Sequence, residues 1–454
     1  MAPKFGTSGL RGLAVELTDE LCARYAAAFC GLHENDGRLF IGRDKRESSA
    51  RIAAAVARGA ASSGLRVVDC GVLPTPAMAG AALRAGTISI MVTGSHIPAD
   101  RNGLKFYTAR GEFTKADEAP LIQAVSAVSL SDVEADVDYT DAAAEAYVAR
   151  YVSGFPDAAL KGRRIGVWVH SSTAGDVLPR ILEGLGATVM RFGASDMFVP
   201  VDTEAVDSDT RATLAAWVKG HALDAIVSTD GDADRPLFMD DSGTLVPGDI
   251  LGPITAHWAG ATEVVTTVSA NTLVDLWGVF QSVHRTKIGS PYVIAQMEAR
   301  MSSRDAKLAG YEPNGGFLTG FDGIVPALMT RDAVLPILAV LAAAEGSVSA
   351  HVARLPQRRT ATDRLTDVPG EASLKIVDAV RAGDLSVLPE GLGKLDKIDE
   401  TDGVRLSFSS GKTIHIRPSG NAPELRCYVE ASDGADAVST LRDTLQRLKA
   451  AVAG

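Results

Sequence analysis

The stretch Ile88-Ser89-Ile90-Met91-Val92-Thr93-Gly94-Ser95-His96-Ile97-Pro98 decides the fold. Five residues rich in β-branched and apolar side chains run into a polar turn shaped by Gly and Pro. A continuous apolar run of this length reads as a strand buried on both faces, as in a parallel sheet covered by helices. Working backward, Leu39–Ile41 and Arg66–Asp69 read as strands, with a helix over Ser48–Ser63 between them. Such alternation predicts βαβ units. The pattern restarts at Arg164–Val169, whose later strand Asp224–Val227 ends in Ser228-Thr229-Asp230-Gly231-Asp232-Ala233-Asp234-Arg235. It restarts again at Glu263–Val268, whose later strand near Leu308–Gly310 ends in Tyr311-Glu312-Pro313-Asn314-Gly315-Gly316. Each module delivers a polar loop at the C-terminal end of a strand, where open α/β sheets bind ligands.

From about Glu371 the character changes to a helix, a hairpin of Val404–Phe408 and Thr413–Ile416, the loop Arg417-Pro418-Ser419-Gly420-Asn421, a strand and a closing helix, Ala435–Val452. The expected fold is α/β: three similar domains with mixed, mostly parallel sheets and a C-terminal α+β domain around a central cleft. The expected limits are 1–150, 151–260, 261–370 and 371–454. A prior of roughly 150 residues per domain gives about three, so four places these at the small end.

The 454 residues carry a net charge of −11, with 46% hydrophobic and 22% charged residues. That balance argues against nucleic-acid or anionic-membrane surfaces, but a local basic pocket can still take an anion. Cys22, Cys30, Cys70 and Cys427 are scattered, without zinc-ligand spacing; buried thiols in a reducing compartment are the expectation. The first residues show no signal-peptide pattern. The longest apolar run, Val334 to Ala344, is too short to span a bilayer and contains Pro336. A cytoplasmic protein is expected.

The sharpest chemical signal is Asp230, Asp232 and Asp234. Carboxylates at i, i+2 and i+4 in an extended loop can converge on one hard cation, and without one they repel. An EF-hand needs Gly at its sixth position and Glu at its twelfth; Arg235 and Asp241 stand there instead. Arg235 suggests an anion beside the metal. Ser95 and His96, in a turn after a buried strand, suit an exposed hydroxyl, and Lys105 suits a general acid/base once burial or a neighbouring charge tunes it. Alone, such a serine is more often a turn residue; the reading rests on its combination with the aspartate loop. Arg417, Ser419, Gly420 and Asn421 make a phosphate cradle or an ordinary turn, with Arg426 as a second cation. Glu312 and Asn314 can bond neighbouring sugar hydroxyls, though a plain turn reads equally well. Gly6 to Gly12 offers turn backbone and Arg11. Gly411-Lys412-Thr413 resembles the end of a P-loop, but Leu406 stands where its first Gly belongs.

In this order, KFGTSGLRG, TGSHIPADRNGLKFY, DGDADR, EPNGG and RPSGNAPELR resemble the α-D-phosphohexomutase superfamily, within it the bacterial phosphomannomutase/phosphoglucomutase group, over essentially the whole chain. The resemblance implies a phosphoserine at Ser95, Mg²⁺ on Ser95, Asp230, Asp232 and Asp234, and Lys105 as general acid/base. It implies Arg11, His96 and Arg235 as active-site supports and Glu312 and Asn314 in sugar recognition. Arg417, Ser419, Gly420 and Asn421 would take the distal phosphate, with Lys287 and Arg426 nearby. The implied reaction interconverts hexose 6-phosphate and hexose 1-phosphate, mannose first and glucose next, through a hexose 1,6-bisphosphate that also serves as activator. The partner is a small phosphosugar, and the chain a monomer or homodimer. Phosphoglucosamine mutase, a metal-dependent sugar phosphatase and a non-catalytic phosphosugar-binding protein are the alternatives. Ile97 replaces the Asn of the family's serine loop. Pro313, Asn314 and Gly316 replace the variable residue, Ser and His of its sugar loop, and Asn421 and Ala422 a Thr-Glu pair.

Overall fold

Burial follows the apolar runs closely. All five residues of strand Ile88–Val92 are buried, as are all five of Ala225–Thr229, so neither strand has a solvent face. The computed structural model describes residues 3–6, 8–301, 306–420 and 423–453. They pack as two compact units, Met1–Val264 with Gly289–Val352, and Val265–Ile288 with Ala353–Gly454.

The first sheet of the first unit runs Lys4–Phe5, Leu10–Leu13, Arg101–Thr108, Ile88–Val92, Arg38–Arg43, Arg66–Val72, Val137–Tyr139. Arg38–Arg43 is parallel to both Ile88–Val92 and Arg66–Val72, while Arg101–Thr108 is antiparallel to both of its neighbours. The sheet is therefore mixed, with a parallel centre. The register sets Arg11 opposite Gly103 and Lys105 opposite Met91, which gathers Arg11, Lys105 and the loop after Val92 at one end of the sheet. Helices Asp19–Leu32 and Ser49–Ser62 cover it. Thr18 caps the former by accepting from the Leu21 N–H, with Asp19 and Glu20 in the positive first turn.

The second sheet, Thr188–Phe192, Arg164–Trp168, Ala225–Thr229, Pro236–Asp240, is parallel over three strands and antiparallel at the last. Asp230 to Arg235 form the turn between those last two strands. Leu308–Tyr311, Phe317–Thr319 and Leu328–Asp332 make an antiparallel meander, and Glu312 to Gly316 form its first turn. Helix Val334–Ala343 follows, and its first eight residues are buried. No helix among the described residues is long and apolar enough to cross a membrane. Helix Ala142–Gly154 runs through residue 150.

In the second unit, an antiparallel sheet runs Arg359–Thr366, Glu424–Ala431, Thr413–Pro418, Val404–Phe408, Leu395–Asp399. The hairpin expected around Ser409 to Lys412 is present, with Ser407 opposite Thr413. Arg359–Thr366 lies ahead of residue 371 yet pairs along its whole length with Glu424–Ala431. Cys22, Cys30, Cys70 and Cys427 are buried and unpaired.

Helices Asp19–Leu32 and Ser49–Ser62 approach so closely that a Cβ on Gly59 would lie 2.1 Å from the Ala23 carbonyl oxygen. A backbone atom cannot swing aside. Gly59→Ala gains helix propensity but is expected to destabilise the first unit by about 1–3 kcal/mol through overpacking. Thermal melting by circular dichroism checks this; an unchanged or raised midpoint would contradict it.

Candidate active site

The serine loop is built from the end of a buried strand. Ser95 has φ 53°, a left-handed conformation costly for a residue with a Cβ. Its neighbours hold it there. Its N–H donates to Thr93 Oγ1 at 2.8 Å, and Thr93 Oγ1 donates to Asp44 Oδ2 at 2.8 Å. Asp44 also accepts from the Gly94 N–H at 3.1 Å and from Ser49 Oγ at 2.5 Å. Arg46 completes the brace. Its guanidinium bonds Asp44 at 3.1 Å and donates to the carbonyls of Ser95, Ile97, Pro98 and Arg101 at 3.0, 2.6, 2.6 and 3.0 Å. Phe198 stacks on it at 3.9 Å. Ile97 thus contributes its backbone to the loop, which explains why the residue type there can change.

Ser95 Oγ donates to Asp230 Oδ2 at 2.6 Å, so the serine and aspartate loops meet. Carboxylate oxygens of Asp230, Asp232 and Asp234 lie within 4.8 Å of one another, and all three residues are buried. Lys105 Nζ donates to Asp232 at 2.6 Å and Asp234 at 2.5 Å. Thr75 Oγ1 donates to Asp232 at 2.5 Å, and Arg331 Nη2 pairs with Asp234 at 2.8 Å. Asp230 Oδ1 accepts from the N–H groups of Asp234 and Arg235 at 3.1 and 3.2 Å, which closes the turn.

Protonation follows from these partners. Burial pushes the Asp230 carboxyl well above its usual range, and the charges on Asp232 and Asp234 add to the push. Burial acts on Asp232 as well, but Lys105 and Thr75 outweigh it and hold that carboxyl low. Asp234 is also held low, by Arg331 and Lys105 against burial. Burial pushes the His96 imidazole well down, helped by the Arg235 and Arg11 cations. His96 Nδ1 lies 3.3 Å from Ser95 Oγ.

The site still has unused capacity. Asp232 Oδ1 and Asp234 Oδ1 are buried with no hydrogen-bond partner among the described residues. Buried carboxylate oxygens rarely stay unsatisfied. A set of hard oxygen donors converging on one point fits a small divalent cation.

Arg11 donates to the Thr93 carbonyl at 2.8 Å, at the root of the serine loop. Arg235 Nε lies 3.7 Å from Asp234 Oδ1. Glu312 is buried and Arg331 Nη1 lies 3.7 Å from its Oε2. Asn314 uses its Oδ1 to accept the Gly316 N–H at 2.9 Å, so that oxygen shapes the turn.

In the second unit, Arg417 and Arg426 stand opposite each other on adjacent strands. Like charges so placed repel, and each has an acidic partner. Arg417 Nη1 lies 3.4 Å from Asp402 Oδ2, and Arg426 Nη2 lies 3.0 Å from Glu424 Oε2. Asp402 Oδ2 also accepts the Ile288 N–H at 3.1 Å, which brings exposed Lys287 into the same neighbourhood. The Ser419 N–H donates to the Glu424 carbonyl at 2.9 Å, closing the loop at one end, and Gly420 lies within it. Asn421 lies outside the described residues.

Models of the phosphoglucomutase/phosphomannomutase family match the chain in four consecutive pieces. The three α/β/α domains, I, II and III, match residues 2–129, 138–243 and 247–359, and the C-terminal domain matches 362–448. The chain belongs to this family. It is 44% identical to a phosphomannomutase of Sinorhizobium fredii over 460 aligned residues, covering 95% of this chain and 96% of that protein. It is 41% identical to a phosphomannomutase of Salmonella muenchen, covering 98% and 95%. The fold matches a phosphoglucomutase/phosphomannomutase family protein from Burkholderia thailandensis with TM-score 0.78 at 19% identity, over 98% of this chain and 97% of that one. The chain is a phosphohexomutase with four family domains.

Sequence reasoning missed Asp44, Arg46, Thr75, Arg331 and Asp402 in this mutase. Asp44 and Arg46 directly follow strand Arg38–Arg43, so the rule that ligands gather at strand C-termini could have found them. Arg46→Met would leave the Asp44 charge buried beside a loop with unpaired carbonyls. The expected cost is about 3–5 kcal/mol of stability. Thermal melting checks this; an unchanged melt would contradict the bracing role.

Proposed function

We propose that this phosphohexomutase interconverts mannose 6-phosphate and mannose 1-phosphate by phosphoryl transfer through Ser95. The observation that carries the reading is the 2.6 Å bond from Ser95 Oγ to Asp230, the first of three converging carboxylates. The full-length likeness to two phosphomannomutases supports mannose as the sugar. Asp230, Asp232 and Asp234 would hold Mg²⁺ with an oxygen of Ser95. When bound, this ion would offset negative charge on the transferring phosphoryl group.

The rest falls to side chains of the chain. Phospho-Ser95 gives its phosphoryl group to the free C1 or C6 hydroxyl of a hexose monophosphate. The Ser95 Oγ–P bond breaks, a P–O bond to the sugar forms, and the product is a hexose 1,6-bisphosphate. Lys105 accepts the proton of the attacking hydroxyl, and Asp232 and Asp234 take hydrogen bonds from its Nζ. Reversal with the other phosphate regenerates phospho-Ser95. The bisphosphate therefore serves as both intermediate and activator. His96, kept neutral by its surroundings, and the Arg11 bond to Thr93 steady the serine loop, and Arg235 faces the phosphoryl oxygens. Glu312, in a turn shaped by Asn314, grips sugar hydroxyls. Arg417, Ser419, Gly420 and Asn421, with Lys287 and Arg426, take the phosphate that is not reacting.

A side-by-side assay of mannose, glucose and glucosamine 1-phosphates with bisphosphate activator tests the reading. Mannose 1-phosphate is expected to give the highest kcat/KM. EDTA is expected to abolish turnover and Mg²⁺ to restore it. Ser95→Ala should lower turnover by roughly four orders of magnitude or more, as loss of a nucleophile does. Turnover surviving in that variant, or phosphate release as fast as isomerisation, would overturn the proposal.

A further inference from the structure

The loop Glu312 to Gly316 contains two adjacent glycines that differ in kind. Gly315 has φ 89°, a conformation that favours glycine. Gly316 has no such backbone need, since its φ is not in the left-handed region. What excludes a side chain at 316 is its neighbour. A Cβ there would lie 2.9 and 3.0 Å from Cδ and Cγ of Arg331 and 3.2 Å from Asn314 Oδ1. The family's sugar loop commonly carries a His at this place. Here that room is filled by an arginine from strand Leu328–Asp332.

Arg331 cannot easily move aside. Its N–H donates to Glu112 Oε1 at 3.3 Å, and Thr330 Oγ1 donates to the same oxygen at 2.8 Å. On its other side, Asp332 accepts from Tyr147 Oη at 2.6 Å and from Tyr151 Oη. Both chain neighbours are thus anchored in buried positions. The guanidinium reaches two parts of the site, with Nη2 2.8 Å from Asp234 Oδ2 and Nη1 3.7 Å from Glu312 Oε2. Arg331 Nε and Glu312 Oε2 are buried and have no hydrogen-bond partner among the described residues, so the pair keeps unfilled bonding capacity.

We propose that Arg331 is a positioning residue for sugar recognition that takes the room of a side chain at position 316. From there it holds Glu312 against the aspartate loop. The proposal rests on the reading of Glu312 as the sugar contact. The two charged groups then act as one unit. Asp234 fixes one edge of the guanidinium, and the other edge fixes the direction in which Glu312 presents its carboxylate. Losing Arg331 should therefore weaken sugar binding more than phosphoryl transfer. A bulky side chain at 316 should do harm only while Arg331 is present.

The test is a double-mutant cycle of Gly316→His, Arg331→Gly and the combined variant, assayed with mannose 1-phosphate. Each single change is expected to raise KM about tenfold, with kcat changing less, because contacting residues couple. The combined variant is expected to stay near the tenfold KM of Arg331→Gly and not to reach the roughly hundredfold of additive penalties, because the imidazole then has space while Glu312 is still unheld. Equal penalties for Gly316→His with and without Arg331 would overturn the proposal. Gly316→Ala and Arg331→Ala, compared by thermal melting alone and together, give the same cycle without activity; additive shifts would overturn the shared-space argument. Mn²⁺ titration of the Arg331→Gly protein gives a further readout, with tighter binding expected once the competing cation 2.8 Å from Asp234 is gone and unchanged binding counting against the link. Ser95 phosphorylation is followed by intact mass throughout. Failure of the cycle with phosphoserine intact strikes only this inference, whereas turnover without phosphoserine strikes the proposed function.

Discussion

Three buried carboxylates with oxygens within 4.8 Å of one another dominate the first unit. Asp230, Asp232 and Asp234 lie in one six-residue turn between two buried strands, and solvent cannot screen their mutual repulsion. The chain compensates with groups drawn from elsewhere. Lys105 comes from a strand of the first sheet, Thr75 from the start of a helix, and Arg331 from the last strand of the meander. Among the described residues, no cation pairs directly with Asp230. It accepts the Ser95 hydroxyl instead, and its carboxyl is pushed upward. Compensation is incomplete, and the remaining oxygens of Asp232 and Asp234 give the site its capacity for a cation.

Much of this was legible in the order of residues. Apolar runs such as Ile88–Val92 and Ala225–Val227 mark strands with no solvent face, and the loops that follow them meet at the candidate site. The local spacing of the aspartates pointed to their convergence in the fold. What escaped were groups whose role exists only across distance in the chain. Thr75 meets Asp232 157 residues later, and Arg46 braces a carbonyl 49 residues away. Thr75 has no local signature, since a lone Thr before a Pro is ordinary, and Arg46 is marked only by its place just past the end of a strand. Arg331 was hidden for a related reason. Its significance lies in the missing side chain at Gly316, and that glycine reads as a turn residue until the contact is seen.

The second unit applies the same logic to positive charge. Arg417 and Arg426 face each other across a strand pair, held apart in role by Asp402 and Glu424. Asp402 also fixes the backbone beside Lys287, so one carboxylate organises both basic segments. Lys287 and Arg417 are 130 positions apart in the sequence, too far for any motif to join them.

The account turns on Ser95 as the phosphoryl carrier. The most direct measurement is the intact mass of the purified protein, followed by fragmentation to locate the modification. The account predicts a population heavier by one phosphoryl group, located on Ser95, absent from Ser95→Ala and removed by excess hexose monophosphate. A protein that never carries phosphate, or carries it elsewhere while isomerising its substrate, would contradict it.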